Sequence, residues 1–289
     1  MNLHDAPLDD AHAAPAAKVP GRPPSDKYTW QTVTSIRRWT DHLFSFRTTR
    51  DRGFRFKPGQ FARLGVHRDD RLGAKAGPRD VWRAYSIVSA DYDEFLEFYS
   101  IVVPDGEFTT KLAQLREGDR LMIEKAAYGF LTLDRFEGGR DLWLLSSGTG
   151  IAPFISILHD LGAWEQYERL ILVHSVRHAD ELAYRDTVEA FRSHEVFGEA
   201  LAANPGKLVY VPIVTRERLH GALHARIPAL LGSGALEAKA GVRLDTQHSR
   251  LMICGNPDMV DDIRRHLTLA GYQVSRRGQP AQLAVENYW

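Results

Sequence analysis

Near Asp141 the chain changes its rhythm, and that change limits it to few architectures. From Tyr28 to about Leu133 it runs in short segments rich in β-branched and aromatic residues: YTWQTVTSI, LFSFRTT, QFARLGV, RAYSIVS, FLEFYSIVV and RLMIEKA. Turn residues at Lys57-Pro58-Gly59, Pro104-Asp105-Gly106 and Glu117-Gly118-Asp119 punctuate them. Short strands at this spacing, with one short helix over about 109–115, predict an antiparallel barrel. After Asp141 the apolar run LWLLSS reads as a strand buried in a parallel sheet. Helices over 153–161, near 180–194, near 226–232 and over 258–270 then alternate with LILVHS, KLVYVPIVT, LMICG and AQLAVE. Such alternation predicts a parallel five-stranded α/β half. The expected fold class is two-domain β + α/β, an N-terminal antiparallel β-barrel over 27–137 followed by the α/β domain over 138–289. The boundary falls in the polar, Gly-rich DRFEGGR, and the Ala/Pro/Asp-rich residues 1–26 are predicted to be a disordered extension.

Length and charge agree with this division and remove several functions. The 289 residues suit about two domains. Lys+Arg and Asp+Glu are both 37, so no global basic excess points to nucleic acid or an anionic membrane, and an anion site must be a local cluster. The single cysteine, Cys254, excludes an internal disulfide and a thiolate-held iron–sulfur cluster. No apolar run is long enough for a spanning helix, and MNLHDAPLDD lacks the basic start of a signal peptide. A cytoplasmic location is the expectation.

Two constellations carry chemistry. In RAYS, period-2 alternation puts Arg83 and Tyr85 on one strand face, with Ala84 and Ser86 on the other. A planar redox ring needs an aromatic face, a pyrophosphate needs a guanidinium, and a hydroxyl can serve a ring nitrogen. Alone, the stretch reads more readily as a strand with one exposed Arg and a packed Tyr. Some twenty residues on, PDGEFTTKL leads a turn into a helix beginning near Thr109, whose free N–H groups suit an anion; an ordinary capped helix is the plainer reading.

The second constellation is SSGTGIAPF, where Gly148 and Gly150 permit close backbone approach and Pro153 suits a helix start. It is neither the usual dinucleotide fingerprint nor a P-loop, and a plain strand-to-helix turn stays open. Arg177, Arg216 and Arg226 lie at or near predicted strand ends, where open α/β sheets bind ligands. Arginine beside a hydroxyl such as Thr215 suits a 2′-phosphate. In LMICGNPDMV, Cys254 falls at a strand's carboxyl edge, followed by Gly255, and Asp258 is expected at the N-cap or N1 of the next helix. A small buried hydrophobe is the commoner fate of a free Cys.

RAYS, PDGxxT, GTGIAP, the arginines, CGNPDM and the aromatic C-terminus, in that order over about 28–289, resemble the ferredoxin–NADP(+) reductase superfamily, and most closely its short bacterial ferredoxin/flavodoxin members. The resemblance implies FAD in the barrel and NADP(H) on the α/β half. It implies that Arg83 pairs with the FAD pyrophosphate, Ala84 lies along the cofactor, Tyr85 stacks on the flavin ring and Ser86 lies near its N5. Tyr99, Glu107, Phe108 and Thr109 become further FAD contacts, and Thr149 touches the nicotinamide or flavin edge. Gly148, Gly150, Gly255 and Asp258 are implied as NADP contacts, with Arg177, Thr215, Arg216 and Arg226 on the 2′-phosphate. Ser86, Cys254 and Glu286 would orient the reacting atoms, Tyr288 would cover the other flavin face, and Trp289 would lie toward the adenine. Ferredoxin or flavodoxin is the implied partner of a monomer. The loop over 67–82 is longer than the family needs and mixes Arg68, Arg71, Lys75 and Arg79 with Asp69, Asp70 and Asp80, so no clear basic dock is visible. A flavin reductase, an oxygenase reductase component and a non-catalytic FAD-binding sensor remain rival readings.

Overall fold

The computed structural model describes residues 25–67 and 80–287. The expected N-terminal extension, the greater part of the 67–82 loop, and Tyr288 and Trp289 lie outside them. The first six strands are β1 (Tyr28–Arg38), β2 (Leu43–Thr49), β3 (Phe61–His67), β4 (Asp80–Ser86), β5 (Phe95–Ile101) and β6 (Arg120–Tyr128). They form one antiparallel sheet in the order β4-β3-β6-β1-β2-β5. A bridge between Ile87 and Phe98 joins the two ends of that order, so the sheet closes as a barrel. Phe44, Phe46, Leu64, Phe98, Leu121 and Ile123 fill the interior. Helix α1 (Glu107–Leu112) adds Phe108 and Leu112 to it.

The second half is a parallel sheet of β7 (Asp141–Ser147), β8 (Arg169–Val176), β9 (Leu208–Val214), β10 (Ser249–Gly255) and β11 (Leu283–Asn287). Their order is β11-β10-β7-β8-β9. The helices are α2 (Ala152–Leu158), α3 (Leu161–Gln166), α4 (Arg185–Ala190), α5 (Phe197–Ala203), α6 (Ile227–Gly232), α7 (Ala235–Ala240) and α8 (Pro257–Leu269). Alternation in β7 sends Leu142 and Leu144 to one face, against α2 to α5, and Trp143 and Leu145 to the other, against α6 to α8. Both faces are buried, which is why these strands read as continuous apolar runs. None of the described helices is long and apolar enough to cross a membrane.

Several local expectations shift. The helix expected near Thr109 starts at Glu107, with Gly106 at its N-cap and Thr109 inside. The Thr109 hydroxyl accepts from the Val103 N–H at 3.1 Å, so it closes the preceding turn instead. The helix expected over 153–161 is a 3₁₀ turn, Gly148–Ile151, running into α2, and α3 is separate. Helices α5 and α7 went unrecognised in the sequence because each is short and has neither a side-chain cap nor a long apolar stripe. Asp258 is not the cap of α8: Asn256 is, accepting from the Met259 N–H at 3.2 Å, and Pro257 takes N1, where a missing N–H costs nothing.

The two halves share a core. Leu43, Val88 and Tyr99 of the barrel sit in the same buried cluster as Ile151, Phe154 and Ile155. Tyr184 donates to Glu97 Oε1 at 2.9 Å and Ser156 donates to the Ser89 carbonyl at 2.8 Å, fastening one half to the other. Phe154 is fully buried, so Phe154→Ala should cost about 3–5 kcal/mol of unfolding free energy through the cavity it leaves. Leu269→Ser, at a side chain 85% exposed, should change it by less than about 0.5 kcal/mol. Denaturant titration of both variants checks the pair.

Candidate functional site

Strands β7, β8 and β9 advance in one direction, and β10 then returns to the other side of β7. Where the order reverses, the loops leaving neighbouring strands part and open a crevice at the carboxyl edge. The 3₁₀ turn Gly148–Ile151 leaves β7 there, and Gly255–Asn256 leaves β10 beside it. Two glycines let the loops touch. A side chain at 150 would bring its Cβ to 2.4 Å from the Cys254 carbonyl oxygen, and one at 255 to 2.3 Å from Ser147 Oγ. Gly255 also sits at φ +139, closed to most side chains.

A cavity of about 640 Å³ lies between this crevice and the barrel. Arg83, Ala84, Tyr85 and Ser86 line it together. Consecutive residues of a strand face opposite ways, so the cavity draws on both faces of β4. Tyr99 comes from β5, Glu107, Phe108 and Thr109 from the start of α1, Thr149 from the turn after β7, and Glu286 from β11. Phe61, Ser100, Val285 and Asn287 also line it. No local signal marked them; strand pairing delivers them.

The electrostatics of the wall are set by burial. The Tyr85 ring packs on Phe108 with centroids 5.6 Å apart, and its hydroxyl lies 3.1 Å from Ser100 Oγ. Burial pushes its pKa up to about 12. Burial likewise raises that of Tyr99. Glu286 accepts the Phe130 N–H through Oε1. Burial pushes its carboxyl up to about 7, against the opposing pull of that hydrogen bond and of Arg135. Among the described residues, Ser86 Oγ, Tyr99 Oη and Glu286 Oε2 are buried without a hydrogen-bond partner. Each such atom costs about 1–3 kcal/mol unless something fills its valence, so three in one cavity argue for a polar ligand. Arg83 stands exposed at the same cavity and offers a guanidinium to an anion.

A smaller cavity of about 370 Å³ lies beyond the ends of β8 and β9, lined by Arg177, Thr215, Arg216, Ala225 and Arg226. Backbone bonds hold it together: the Arg216 N–H donates to the Arg177 carbonyl at 2.9 Å and the Thr215 N–H to the Val176 carbonyl at 3.0 Å. The lining has three guanidinia and no carboxylate, a pattern suited to a phosphate dianion. The structure thus brings together the RAYS, PDGEFT and Thr149 residues in one place and the arginines with Thr215 in another. Gly148, Gly150 and Gly255 form the loops behind the first, and Asp258 stands in the first turn of α8. Cys254 is fully buried in the core shared by the two halves and is not part of the cavity lining. Tyr288 and Trp289 directly follow Asn287 but lie outside the described residues.

An acid whose folded pKa is raised favours the fold while neutral. The stability tied to Glu286 is therefore full below its ordinary 4.5 and is lost as pH rises through about 7. Glu286→Gln should remove a decline of about 1–3 kcal/mol across that window in the ligand-free protein. Urea titrations at the two ends of the window should show the stability difference between variant and parent changing by that amount, and an unchanged difference would remove the assignment, because other buried groups such as His174 titrate alike in both proteins.

Known proteins place these features in a family. The family model described as the oxidoreductase NAD-binding domain matches residues 144–265. A ferredoxin–NADP reductase of Pseudomonas aeruginosa is 42% identical over 265 residues, covering 91% of this chain and 97% of that one. A flavodoxin/ferredoxin–NADP reductase of Escherichia coli is 36% identical over 263 residues, 90% of this chain and 99% of the relative. The crystal structure of a ferredoxin NADP+ reductase from Neisseria gonorrhoeae, with bound FAD and NADP, superposes with a TM-score of 0.81 at 34% identity, covering 92% of this chain and 100% of its own. With sequence identity at this level across nearly the whole length of both partners, and the same two-sheet fold, the chain belongs to the ferredoxin–NADP reductase family.

Proposed function

We propose that this protein is an FAD-dependent reductase that exchanges hydride with NADP(H) and single electrons with ferredoxin or flavodoxin. One observation carries the reading: an aromatic-walled cavity with unpartnered Ser86, Tyr99 and Glu286 atoms lies at the switch point of a nucleotide-binding sheet. The names of the relatives and the FAD and NADP bound in the Neisseria structure support it. In this reading residues 27–137 form the FAD half and 138–289 the NADP(H) half, and the protein is a cytoplasmic monomer.

Bound FAD supplies the hydride chemistry and splits an electron pair into single electrons. The chain's own residues bind, orient and exclude water. Arg83 neutralises pyrophosphate charge, helped by the N–H groups at the start of α1, where Gly106 provides no capping side chain. Tyr85, held by Phe108 and Ser100, presents a neutral ring face, and burial raises its pKa further above the ordinary phenol value. Ser86, with its buried and unpartnered hydroxyl, would be available to a flavin ring nitrogen. Glu286, poised near neutrality by burial, holds or releases a proton at Oε2 beside it. Thr149 borders the place where the nicotinamide must enter, with the buried Cys254 behind the loop. Tyr288 would cover the remaining ring face and Trp289 the adenine side. Arg177, Thr215, Arg216 and Arg226 hold the 2′-phosphate through charge-assisted hydrogen bonds. Phe61 at the cavity packs at a tilt against Tyr128, which is 41% exposed, and Phe130 is 44% exposed. Such an apolar rim favours a protein electron carrier over a small diffusible acceptor.

The absorption spectrum of the purified protein tests the reading directly. A yellow flavin spectrum that bleaches on addition of NADPH is expected; a colourless protein that cannot be reconstituted with FAD refutes it. Arg216→Ala should weaken NADPH binding by about 10- to 150-fold, the worth of one charge-assisted hydrogen bond, and leave NADH nearly unchanged. Equal losses for both nucleotides, measured by steady-state KM, would remove the 2′-phosphate assignment. Reduction assays with purified ferredoxin, flavodoxin and free FMN separate a carrier reductase from a flavin reductase.

A further inference from the structure

His174 sits near the end of β8, with no side-chain surface exposed. It follows Leu170 and Leu172 on the strand face that packs into the core shared with the barrel. A leucine would continue that row. The histidine instead lies with Nε2 3.1 Å from the carbonyl oxygen of Gly148. A carbonyl only accepts, so Nε2 carries the proton and Nδ1 is a bare acceptor. Nδ1 is buried and has no partner among the described residues. Burial holds the imidazole neutral by pushing its pKa down to about 4. Packing alone does not account for a polar ring with an unsatisfied nitrogen in a fully enclosed place.

The acceptor gives the ring its role. The β7–β8 ladder ends at the pair Ser147 and Ser175, and the next peptide, Gly148, has left the sheet at φ +53. It opens the 3₁₀ turn whose second residue, Thr149, reaches the large cavity. Neighbouring hydroxyls pin the flanks of the turn: Ser146 donates to the Val173 carbonyl at 2.7 Å, and Ser147 Oγ accepts from the Asn256 N–H at 3.0 Å. We propose that His174 is a positioning residue, whose Nε2–H clamps the Gly148 carbonyl and so holds Thr149 where the nicotinamide meets the flavin. This rests on the reductase reading above and adds to it the element that orients the hydride-transfer turn. The arginines that grip the nucleotide's phosphate belong to a different cavity, so the clamp acts on the rate of transfer and not on affinity.

The test is a set of variants in the flavin-loaded protein, with His174→Leu, His174→Gln and His174→Asn compared by single-turnover reduction with NADPH. A glutamine nitrogen reaches the position of Nε2, whereas an asparagine nitrogen matches Nδ1. The expected result is a roughly ten- to hundred-fold loss of hydride-transfer rate in the leucine and asparagine variants, substantial recovery in the glutamine variant, and a KM for NADPH within about twofold throughout. Equal rates for glutamine and asparagine, or a loss carried wholly by KM, would overturn the clamp. Nitrogen NMR of 15N-histidine-labelled protein, with or without cofactor, reads the same bond without turnover. An Nε2–H tautomer that does not titrate near neutral pH is expected, and an Nδ1–H tautomer overturns the assignment even if the leucine variant fails to fold. Failure of the reductase reading would show separately, as a parent protein that NADPH does not reduce.

Discussion

The structure depends on one shared apolar layer, in which the outer wall of the barrel and one face of the parallel sheet form a single core. Leu43, Val88 and Tyr99 come from the barrel, and Ile151, Phe154 and Ile155 come from the turn and helix after β7. Strand β2 is buried on its inner face by Phe44 and Phe46 and, over its first half, on its outer face by Leu43 and Ser45, while Arg47 and Thr49 beyond the interface are exposed. Burial on both sides removes the freedom two linked domains ordinarily have to move apart. The buried Tyr184–Glu97 hydrogen bond adds direction to an interface that dispersion and burial alone would leave free to slide.

With the halves held in this way, the cavity needs no dedicated architecture. It is the space between the crevice where the sheet's strand order reverses and the part of the barrel formed by β4, β5 and α1. The division of charge across it follows from position. Groups near the centre, Tyr85, Tyr99 and Glu286, are desolvated and pushed toward neutrality. The three arginines stand exposed at the far ends of β8 and β9, where full charge costs little and a phosphate can be reached. Opposite the crevice, at the amino end of β7, the buried Asp141 pairs with Arg169 at 2.5 Å and with Arg140 at 3.1 Å. That end of the sheet is closed by ion pairs while the carboxyl end stays open for ligands.

Periodicity and turn residues are short-range signals, and the features they govern were legible in the chain. The barrel, the five parallel strands, the GTG turn and the grouping of the arginines could all be read from spacing. That Ser86 shares a cavity with Arg83 cannot be read from alternation, which describes a strand in isolation; it follows from where β4 packs in the fold. At the start of α8 both Asn256 and Asp258 are of a capping type, and geometry gives the cap to Asn256.

By itself, the sequence determined the order of the strands, the residue types able to face a ring or a phosphate, and the exclusion of cysteine-held clusters. These depend on backbone preference and composition, which act over a few residues. Only the tertiary structure decided which polar atoms end without partners, how far burial moves Glu286 and Tyr85, that Cys254 lies beneath the loops, and that His174 reaches the Gly148 carbonyl. Those properties are set by desolvation and by contacts between strands far apart in the chain, and neither quantity exists until the core has closed.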